Sequence, residues 1–457
     1  MKNAKKFLAL GLAGITAVSM TACGGGQKKT DDAAQAGENE KKEADGENSG
    51  GKKKIVISCG LADESQTAVR KIYLDEPLKK AFPDIDIEFK MYNDRQSLQV
   101  EVAGGGGPDI LSLDGPTDVA EFAKSDRVLP MDKYAEQYKW EDLFYDWAYD
   151  SCFFDGKLYS LPTSFEGMVL YYNEDVFKEH QWEVPETLEE MEKLMPEIQE
   201  AGIIPLAFGN ANYQGAVDWL YSTFTSCYAG PEAVKAVLNG EGKLTDSPMK
   251  EAFQMMTDWW KAGYIGDKSS QAVTQEDMVA FFAEGRAAMM INGSWATSQL
   301  GTVYPDCNWN SIMMPPREGE DAIFPLATGG GYAINANTKN ADLAAEVLNF
   351  LFTNYEDHYA SIVEANYQPY PLKTFDMEKI KGVDEKVYKQ YELLMDAQAD
   401  NRIGFCSWTF YPSQMRVYMN ENTDSVFLDA LSLDEYLEGA QKHLDEAIAD
   451  GTVPILP

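Results

Sequence analysis

Several carboxylates occupy places where they could bind the hydroxyl groups of a small polar molecule. Asp63 and Glu64 follow the first predicted strand, and Asp114 follows the third. Open α/β sheets bind ligands outside the carboxyl ends of their strands, so these three side chains are candidate ligand contacts. Carboxylates accept paired hydrogen bonds, which suits vicinal hydroxyls. Each also has a local explanation, because Asp63 or Glu64 could cap a helix and Asp114 could form a turn before Gly115.

Trp295 is a candidate for an aromatic face presented at the edge of a loop. It follows Asn292-Gly293, which predicts a turn, and Ser294 is placed to cap the next helix. A ring presented at such an edge can stack on the face of a sugar. The alternative is that Trp295 packs under the start of the helix.

A loop with amide side chains follows a later strand. Asn210, Asn212 and Tyr213 could contact a ligand there, and Asn212 is the candidate that we retain. Turns use the same residue types, and a turn is the favoured interpretation of this loop.

The first 22 residues have the features of an export signal. Three lysines within residues 2–6 precede a mostly apolar run at 7–20, which is too short to span a membrane, and small residues precede Cys23. Residues 20–23 resemble the bacterial lipobox, although Met20 replaces the usual Leu. We therefore predict a lipoprotein signal peptide at 1–22 and lipidation of Cys23; the alternative is simple secretion with an incidental thiol.

Residues 24–53 contain no Leu, Ile, Val, Met or aromatic residue. Such a segment cannot bury a core, so we expect residues 23–53 to form a lipidated cysteine and a disordered linker with a reach of about 30 Å. The linker would hold a folded domain off the membrane surface.

Composition excludes several classes of function. The formal charge of −35 disfavours nucleic acid and anionic lipid as partners, and it is typical of a soluble protein. The cysteines form no C-x-x-C pair and the three histidines are far apart, so we expect no metal and no cofactor. The motifs of serine hydrolases, zinc proteases, P-loop enzymes and EF-hands are absent from the sequence.

Alternating strand and helix patterns predict an α/β fold. A strand at 54–59, a helix at 63–82 and an alternating strand at 85–91 form a βαβ unit, which implies a parallel pair. The later part continues the alternation, with strands at 203–208 and 287–291, helices that begin after Thr187 and Thr274, a helix stop at Gly285, and helices at 340–352 and 434–449.

Four segments together resemble extracellular solute-binding proteins of the maltose-binding type, family 1 of the ABC transporter receptors. They are residues 107–115, residues 156–162 with 170–177, residues 282–289 with 292–295, and residues 329–334 with 340–342. Their order and spacing span most of the chain. The resemblance implies a two-lobed α/β fold of the periplasmic-binding-protein type II, with a mixed, mostly parallel sheet in each lobe.

The resemblance also implies where the lobes divide. It places residues 54–164 with 329–380 in the first lobe and residues 165–328 with 381–457 in the second, with crossings near residues 162–166, 327–331 and 376–381. The lobes would close on a ligand held between them.

Site residues follow from the same resemblance. Glu166 matches a position that often touches ligand, and the resemblance favours stacking for Trp295. Trp408 lies where the family often has a second aromatic, although core packing explains it equally well. The glycines 329–331, with Gly330 at their centre, could admit a ligand close to the backbone or could need unusual backbone angles at a hinge.

We therefore expect a monomeric, lipid-anchored binding protein on the extracellular face of a bacterial membrane. It would deliver a small solute, a mono- or oligosaccharide, to the permease subunits of an ABC importer and would not be an enzyme. The alternative function is an exported glycoside hydrolase that uses paired carboxylates.

Overall fold

The computed structural model describes residues 52–61, 70–92, 95–211, 216–266, 270–366 and 368–456. Six residues named above lie outside these ranges: Met20, Cys23, Asp63, Glu64, Asn212 and Tyr213. The predicted signal peptide and nearly all of the linker lie outside them as well.

Strands and helices alternate along the described chain. The strands are β1 (Lys53–Leu61), β2 (Ile85–Tyr92), β3 (Ile110–Leu113), β4 (Phe153–Phe154), β5 (Lys157–Leu158), β6 (Leu161–Pro162), β7 (Glu166–Asn173), β8 (Ile204–Ala207), β9 (Ala287–Gly293), β10 (Trp309–Ile312), β11 (Phe324–Ala327), β12 (Gly331–Ile334) and β13 (Ile403–Phe405).

The helices surround the two main sheets that these strands form. They are α1 (Glu76–Ala81), α2 (Arg95–Ala103), α3 (Gly115–Lys124), α4 (Asp132–Tyr138), α5 (Asp146–Asp150), α6 (Glu174–His180), α7 (Leu188–Glu200), α8 (Ala216–Phe224), α9 (Pro231–Leu238), α10 (Met249–Lys261), α11 (Gln275–Ala283), α12 (Ala296–Val303), α13 (Ala341–Thr353), α14 (Tyr355–Ala365), α15 (Glu385–Ala399), α16 (Ser407–Phe410), α17 (Ser413–Phe427) and α18 (Leu433–Asp450). Short π or 3₁₀ turns lie at Lys71–Asp75, Trp140–Asp142, Thr225–Ala229, Ser270–Ala272 and Met377–Ile380.

The first sheet has the strand order β2-β1-β3-β12-β6. The strand β1 pairs in parallel with β2 and β3, whereas β12 is antiparallel to β3 and β6. The register runs from Lys53 opposite Ile85 to Ser58 opposite Lys90. The predicted parallel pair is thus confirmed.

The second sheet has the order β13-β11-β7-β9-β8, and β10 also pairs with β7. Parallel pairs join β11 to β13 and β8 to β9, and the pairs made by β7 are antiparallel. Both sheets are therefore mixed, with fewer parallel pairs than the sequence suggested. The strand β7 follows β6 of the first sheet, and β12 follows β11 of the second sheet. Each therefore crosses from one sheet into the other, and each is antiparallel to its neighbours there.

Each main sheet has its own hydrophobic core. The first core includes Ile57, Ile110 and Leu348, and a smaller cluster with Leu111 and Leu113 covers the other face of β3. Successive strand residues point to opposite faces, which explains why Ile110 and Leu111 separate. The second and larger core contains many buried side chains, among them Leu170, Phe224, Met289 and Leu394. Two separate cores are consistent with the predicted two-lobed fold.

Two extended segments carry the chain between the sheets. Residues 163–165, the first connector, join β6 to β7, and residues 328–330, the second connector, join β11 to β12. A third passage lies between Leu372, which packs in the first core, and Ile380, which packs in the second. The lobe boundaries proposed from the sequence stay a prediction.

Helix ends follow the local signals in the sequence. The Thr187 side chain accepts a hydrogen bond from Glu190 N at 3.3 Å, and Thr274 accepts one from Asp277 N at 3.0 Å. Gly285 follows α11 with φ +74°, a left-handed conformation that favours glycine. These helix starts and this stop are confirmed.

Asp109, in the first family-like segment, joins three parts of the first lobe. Its carboxylate accepts hydrogen bonds from Val56 N at 2.8 Å, from Asn340 Nδ2 at 3.3 Å and from the Thr338 hydroxyl. These donors lie in β1 and in the loop that follows β12. The segment therefore stabilises the sheet through a half-buried carboxylate.

Replacing Asp109 with Ala should lower the free energy of unfolding by about 1–3 kcal/mol, because Val56 N loses its acceptor in a partly buried place. Asp84→Ala, at an exposed turn residue before β2, is the matched control and should change it by less than about 0.5 kcal/mol. Urea denaturation followed by circular dichroism measures both values. Equal stability of the two variants would contradict this role for Asp109.

Candidate functional site

Glu166 lies where the first connector meets the second sheet. It is the first residue of β7, and its backbone pairs with Ala327, the last residue of β11. The residue is only 5% exposed. Its Oε1 accepts a hydrogen bond from Trp408 Nε1 at 3.2 Å, and its Oε2 accepts one from Ser164 Oγ at 3.1 Å. A buried carboxylate is thus held by Ser164, two residues before it, and by Trp408 from a distant part of the chain.

Burial determines the acidity of this group. Loss of water raises the pKa of Glu166 to about 7, against a usual 4.5, because the charged form is disfavoured away from solvent. The hydrogen bonds from Ser164 and Trp408 act in the opposite direction, and the charge of Asp114 raises the pKa further. Glu166 therefore changes charge near neutral pH.

The second connector passes directly over this carboxylate. A Cβ atom on Gly329 would lie 2.2 Å from Glu166 Oε1, and one on Gly330 would lie 2.5 Å from Thr163 Oγ1. None of residues 329–331 has a positive φ. The expectation of unusual backbone angles is therefore wrong for these glycines, and close approach between the two connectors explains them.

Trp295 folds back over the strand that precedes it. A Cβ on Gly293 would lie 2.0 Å from the Trp295 ring, so glycine is required there. The predicted turn at 292–293 is wrong, because β9 continues through Gly293. The predicted cap is also wrong, because α12 begins after Trp295 and Ser294 Oγ makes no hydrogen bond to any described residue. The close packing of the ring on the strand replaces the turn.

Three tryptophans form a row of edge-to-face contacts. The ring centroids of Trp219 and Trp295 are 5.6 Å apart, and those of Trp295 and Trp408 are 5.9 Å apart. Trp295 is partly exposed, whereas the other two are buried. Trp295 is thus the middle ring of the row, and Trp408 at one end donates to the carboxylate of Glu166.

Trp408 anchors the row to both lobes. It lies in α16, and its carbonyl oxygen accepts a hydrogen bond from the Thr117 hydroxyl in α3. Gly115 also lies against it, since a Cβ there would be 2.5 Å from the Trp408 carbonyl oxygen. Trp408 therefore packs in the second core and also lies beside Glu166 and Trp295.

A cavity of about 510 Å³ opens beside Trp295. It is lined by Trp219, Gln275, Glu276, Met278, Val279, Asn292, Trp295, Ser298, Gln299, Thr302, Val303 and Tyr304. Its volume is typical of small-molecule sites. Among these lining residues Glu276 is the one charged side chain, and the others are aromatic, amide, hydroxyl or apolar. Such a lining suits a neutral ligand rich in hydrogen-bonding groups.

Asp114 and Asn210, two other residues considered in the sequence, have different surroundings. Asp114 is exposed and immediately precedes α3, and its charge raises the pKa of Glu166. Gly115 after it has φ +79°, as a turn residue would. Asn210 is buried and donates a hydrogen bond to Asp424 Oδ2 at 3.1 Å. The Asn210 side chain thus makes a hydrogen bond within the second lobe.

The comparisons with known proteins agree with this architecture. Residues 63–355 match the sequence model of the family described as bacterial extracellular solute-binding protein. The chain belongs to this family. The resemblance seen in the sequence is therefore confirmed.

Relatives of this solute-binding protein cover most of its length. The galactooligosaccharide-binding protein of Bacillus subtilis is 25% identical over 361 residues, which is 77% of this chain and 77% of that one. The multiple sugar-binding protein of Streptococcus mutans is 24% identical over 382 residues, 77% of this chain and 80% of that one.

Solved structures share the fold. A chitin oligosaccharide binding protein superimposes with a TM-score of 0.73 at 22% identity and covers 87% of this chain and 99% of its own. Maltose-bound T. maritima MalE3 gives 0.69 at 20% identity, with 86% and 99% covered. The two-lobed α/β fold is confirmed.

Sequence reasoning missed several residues of this solute-binding protein. Ser164, Trp219, Gln299 and Tyr304 lie at the site or line the cavity but were not predicted. Trp219 belongs to α8, which is buried on every side and looks like a core helix in the sequence. The one available signal was Ser164, two residues before Glu166 on a connector.

In the part of the chain that the structure describes, no group of His, Cys, Asp or Glu side chains is arranged to hold a metal ion. No helix within the same ranges has the length and apolar character needed to cross a membrane.

Glu166 should make the solute-binding protein less stable as pH rises from about 4.5 to about 7. In this range the folded protein keeps the proton that the unfolded chain loses, so the free energy of unfolding falls with pH, by roughly 3 kcal/mol in total. Glu166→Gln should lack this component. Denaturation of both proteins at several pH values gives the difference, and parallel curves for wild type and variant would contradict the assignment.

Proposed function

We propose that this protein is the receptor of an ABC importer and binds a neutral mono- or oligosaccharide between its lobes. The observation that carries the proposal is the partly exposed Trp295 ring, which lines a 510 Å³ cavity together with the carboxylate of Glu276 and mainly uncharged polar and aromatic groups. The ring also contacts Trp408, the hydrogen-bond donor to Glu166. Aromatic faces stack on the apolar faces of sugars, and carboxylates accept hydrogen bonds from their hydroxyls. The site thus offers both kinds of contact that a sugar needs.

Relatives support the same class of ligand. The names of two of them specify galactooligosaccharides and multiple sugars, and structural neighbours are named for chitin oligosaccharide and maltose. The absence of any Lys or Arg among the residues that line the cavity disfavours phosphate and carboxylate ligands. A neutral polyol is the ligand class that fits both observations.

Lobe closure would complete the site. The two connectors meet at Glu166, so rotation of the lobes about residues 163–165 and 328–330 would bring the first lobe over the cavity of the second. The closed, liganded form would then dock on the permease and release the sugar there. Catalysis is not part of this proposal.

We further propose that Cys23 carries a lipid that tethers the protein to the outer face of the membrane. Residues 24–53 would act as the flexible spacer between lipid and receptor. The folded protein would act as a monomer.

Thermal denaturation with a panel of sugars, polyols, amino acids and polyamines tests the ligand class. One class of sugar should raise the melting temperature in a concentration-dependent way, because a ligand that binds the folded state stabilises it. The sugar should be recovered unchanged. Hydrolysis of the stabilising sugar would favour the glycosidase alternative, and stabilisation by amino acids or polyamines alone would contradict the proposal.

Trp295→Ala should weaken binding of the identified sugar by about 10- to 100-fold, because the stacking surface is lost. Trp182→Ala is the matched control, since Trp182 is also partly exposed but packs on His180 and Phe177. Isothermal titration calorimetry measures both affinities. An equal loss in the two variants would contradict a role for Trp295 in the site.

A further inference from the structure

The two connectors are linked to each other by hydrogen bonds. Gly329 N donates to Ser164 Oγ at 2.7 Å, and Thr163 N donates to Gly330 O at 3.1 Å. Ser164 is 6% exposed, so the first of these bonds is shielded from water. These two hydrogen bonds hold the first and second connectors together.

The direction of the hydrogen bonds at Ser164 follows from its chemistry. A hydroxyl has one proton to donate and can accept from others. Because Gly329 N–H is a donor, Ser164 Oγ is the acceptor in that bond, and its own proton is free to point to Glu166 Oε2 at 3.1 Å. The Ser164 hydroxyl therefore links the backbone N–H of Gly329, in the second connector, to the carboxylate of Glu166.

The other hydrogen-bond donor to Glu166 belongs to the tryptophan row. Glu166 Oε1 accepts from Trp408 Nε1, and Trp408 lies against Trp295. A shift of either connector that lengthens the Ser164 bond would remove a donor from the carboxylate. The position and the charge of Glu166 then respond to the geometry of the connectors.

Few other groups compete for control of this carboxylate. The charge of Asp114, which follows β3, raises the pKa of Glu166 and so favours the protonated form. From the start of α16, Cys406 lies near, but burial raises the pKa of its thiol well above the usual value, so it stays neutral. Ser164, Gly329 and Trp408 carry no charge, and no cation in the described residues contributes to the pKa of Glu166.

We infer that Ser164 is a positioning residue that couples the geometry of the two connectors to the carboxylate of the sugar site. This role rests on the proposed function, because it assumes that Glu166 binds the ligand. Ser164 orients Glu166 and stabilises its charged form when the connectors are in contact. By reciprocity, a ligand that favours the charged carboxylate favours that arrangement of the connectors.

The Trp408 indole N–H reports the charge of Glu166 without any ligand, since it donates directly to the carboxylate. In full-length protein labelled with ¹⁵N-tryptophan, one indole signal should titrate near pH 7, and it should stop titrating in Glu166→Gln. In Ser164→Ala the midpoint should rise by about one pH unit, because the charged form loses a hydrogen bond. Ser164→Cys, a weaker donor of similar size, should shift it in the same direction.

Thr409→Val is the matched control. The Thr409 hydroxyl donates to Thr328 O at 3.1 Å and accepts from Thr328 N at 3.2 Å, so it also holds the second connector, but it has no hydrogen bond to Glu166. In Thr409→Val, the midpoint of the titration of the Trp408 indole signal should match that of the wild type. An unchanged midpoint in both Ser164 variants, or an equal rise in Thr409→Val, would overturn the inference.

Binding of the identified sugar supplies the second readout. Ser164→Ala should bind it about 5-fold more weakly than wild type at pH 7, because a smaller fraction of Glu166 is charged, and should regain most of the affinity at pH 9, where Glu166 is charged in both proteins. A loss that is the same at both pH values would indicate a merely structural role and would overturn the inference. A wild-type protein that binds no sugar would instead overturn the proposed function, whatever the Ser164 variants show in the titration.

Discussion

The burial of one carboxylate between two connecting segments constrains the centre of this structure. A charge removed from water is costly unless donors surround it, and Glu166 has donors from Ser164 and Trp408. Glycine is required at position 329 because the carboxylate occupies the space of a side chain. The β7 start, the second connector and α16 are therefore mutually dependent, although they lie far apart in the sequence.

Separate cores make such a junction the natural place for a binding site. Each main sheet has a core of its own, although Trp147 and Ala148, which precede β6 of the first sheet, pack in the second core. Residues of the connectors consequently affect how the lobes are joined more than they affect the stability of either lobe. Polar hydrogen bonds suit this place, because their energies depend on geometry and can change when the lobes move.

In the proposed function, the cavity beside Trp295 would select its ligand by shape and hydrogen bonding. Its lining has aromatic edges, amides and hydroxyls, and Glu276 is the one charge among the residues that form it. Many acidic side chains of the described helices, among them those of α7 and α18, are exposed and lie outside this lining. Solubility and recognition thus depend on different parts of the surface.

Local sequence patterns by themselves determined the α/β class, the parallel pair of β1 and β2, and the helix ends at Thr187, Thr274 and Gly285. These features depend on residues that are close in the chain, so periodicity and capping preferences suffice to predict them. Resemblance to a family added the two lobes and pointed to Glu166, Trp295 and Trp408, whose binding roles stay predictions.

Only the tertiary structure decided what surrounds those residues. Glu166 and Trp408 are 242 residues apart and Ser164 and Gly329 are 165 apart, and no local pattern records which distant side chains meet. For the same reason the sequence suggested a turn at 292–293, where close packing of Trp295 on Gly293 instead extends β9. The glycines 329–331 were recognisable as special, but their cause, the approach of Glu166 and Thr163, is a contact that exists only in the folded chain.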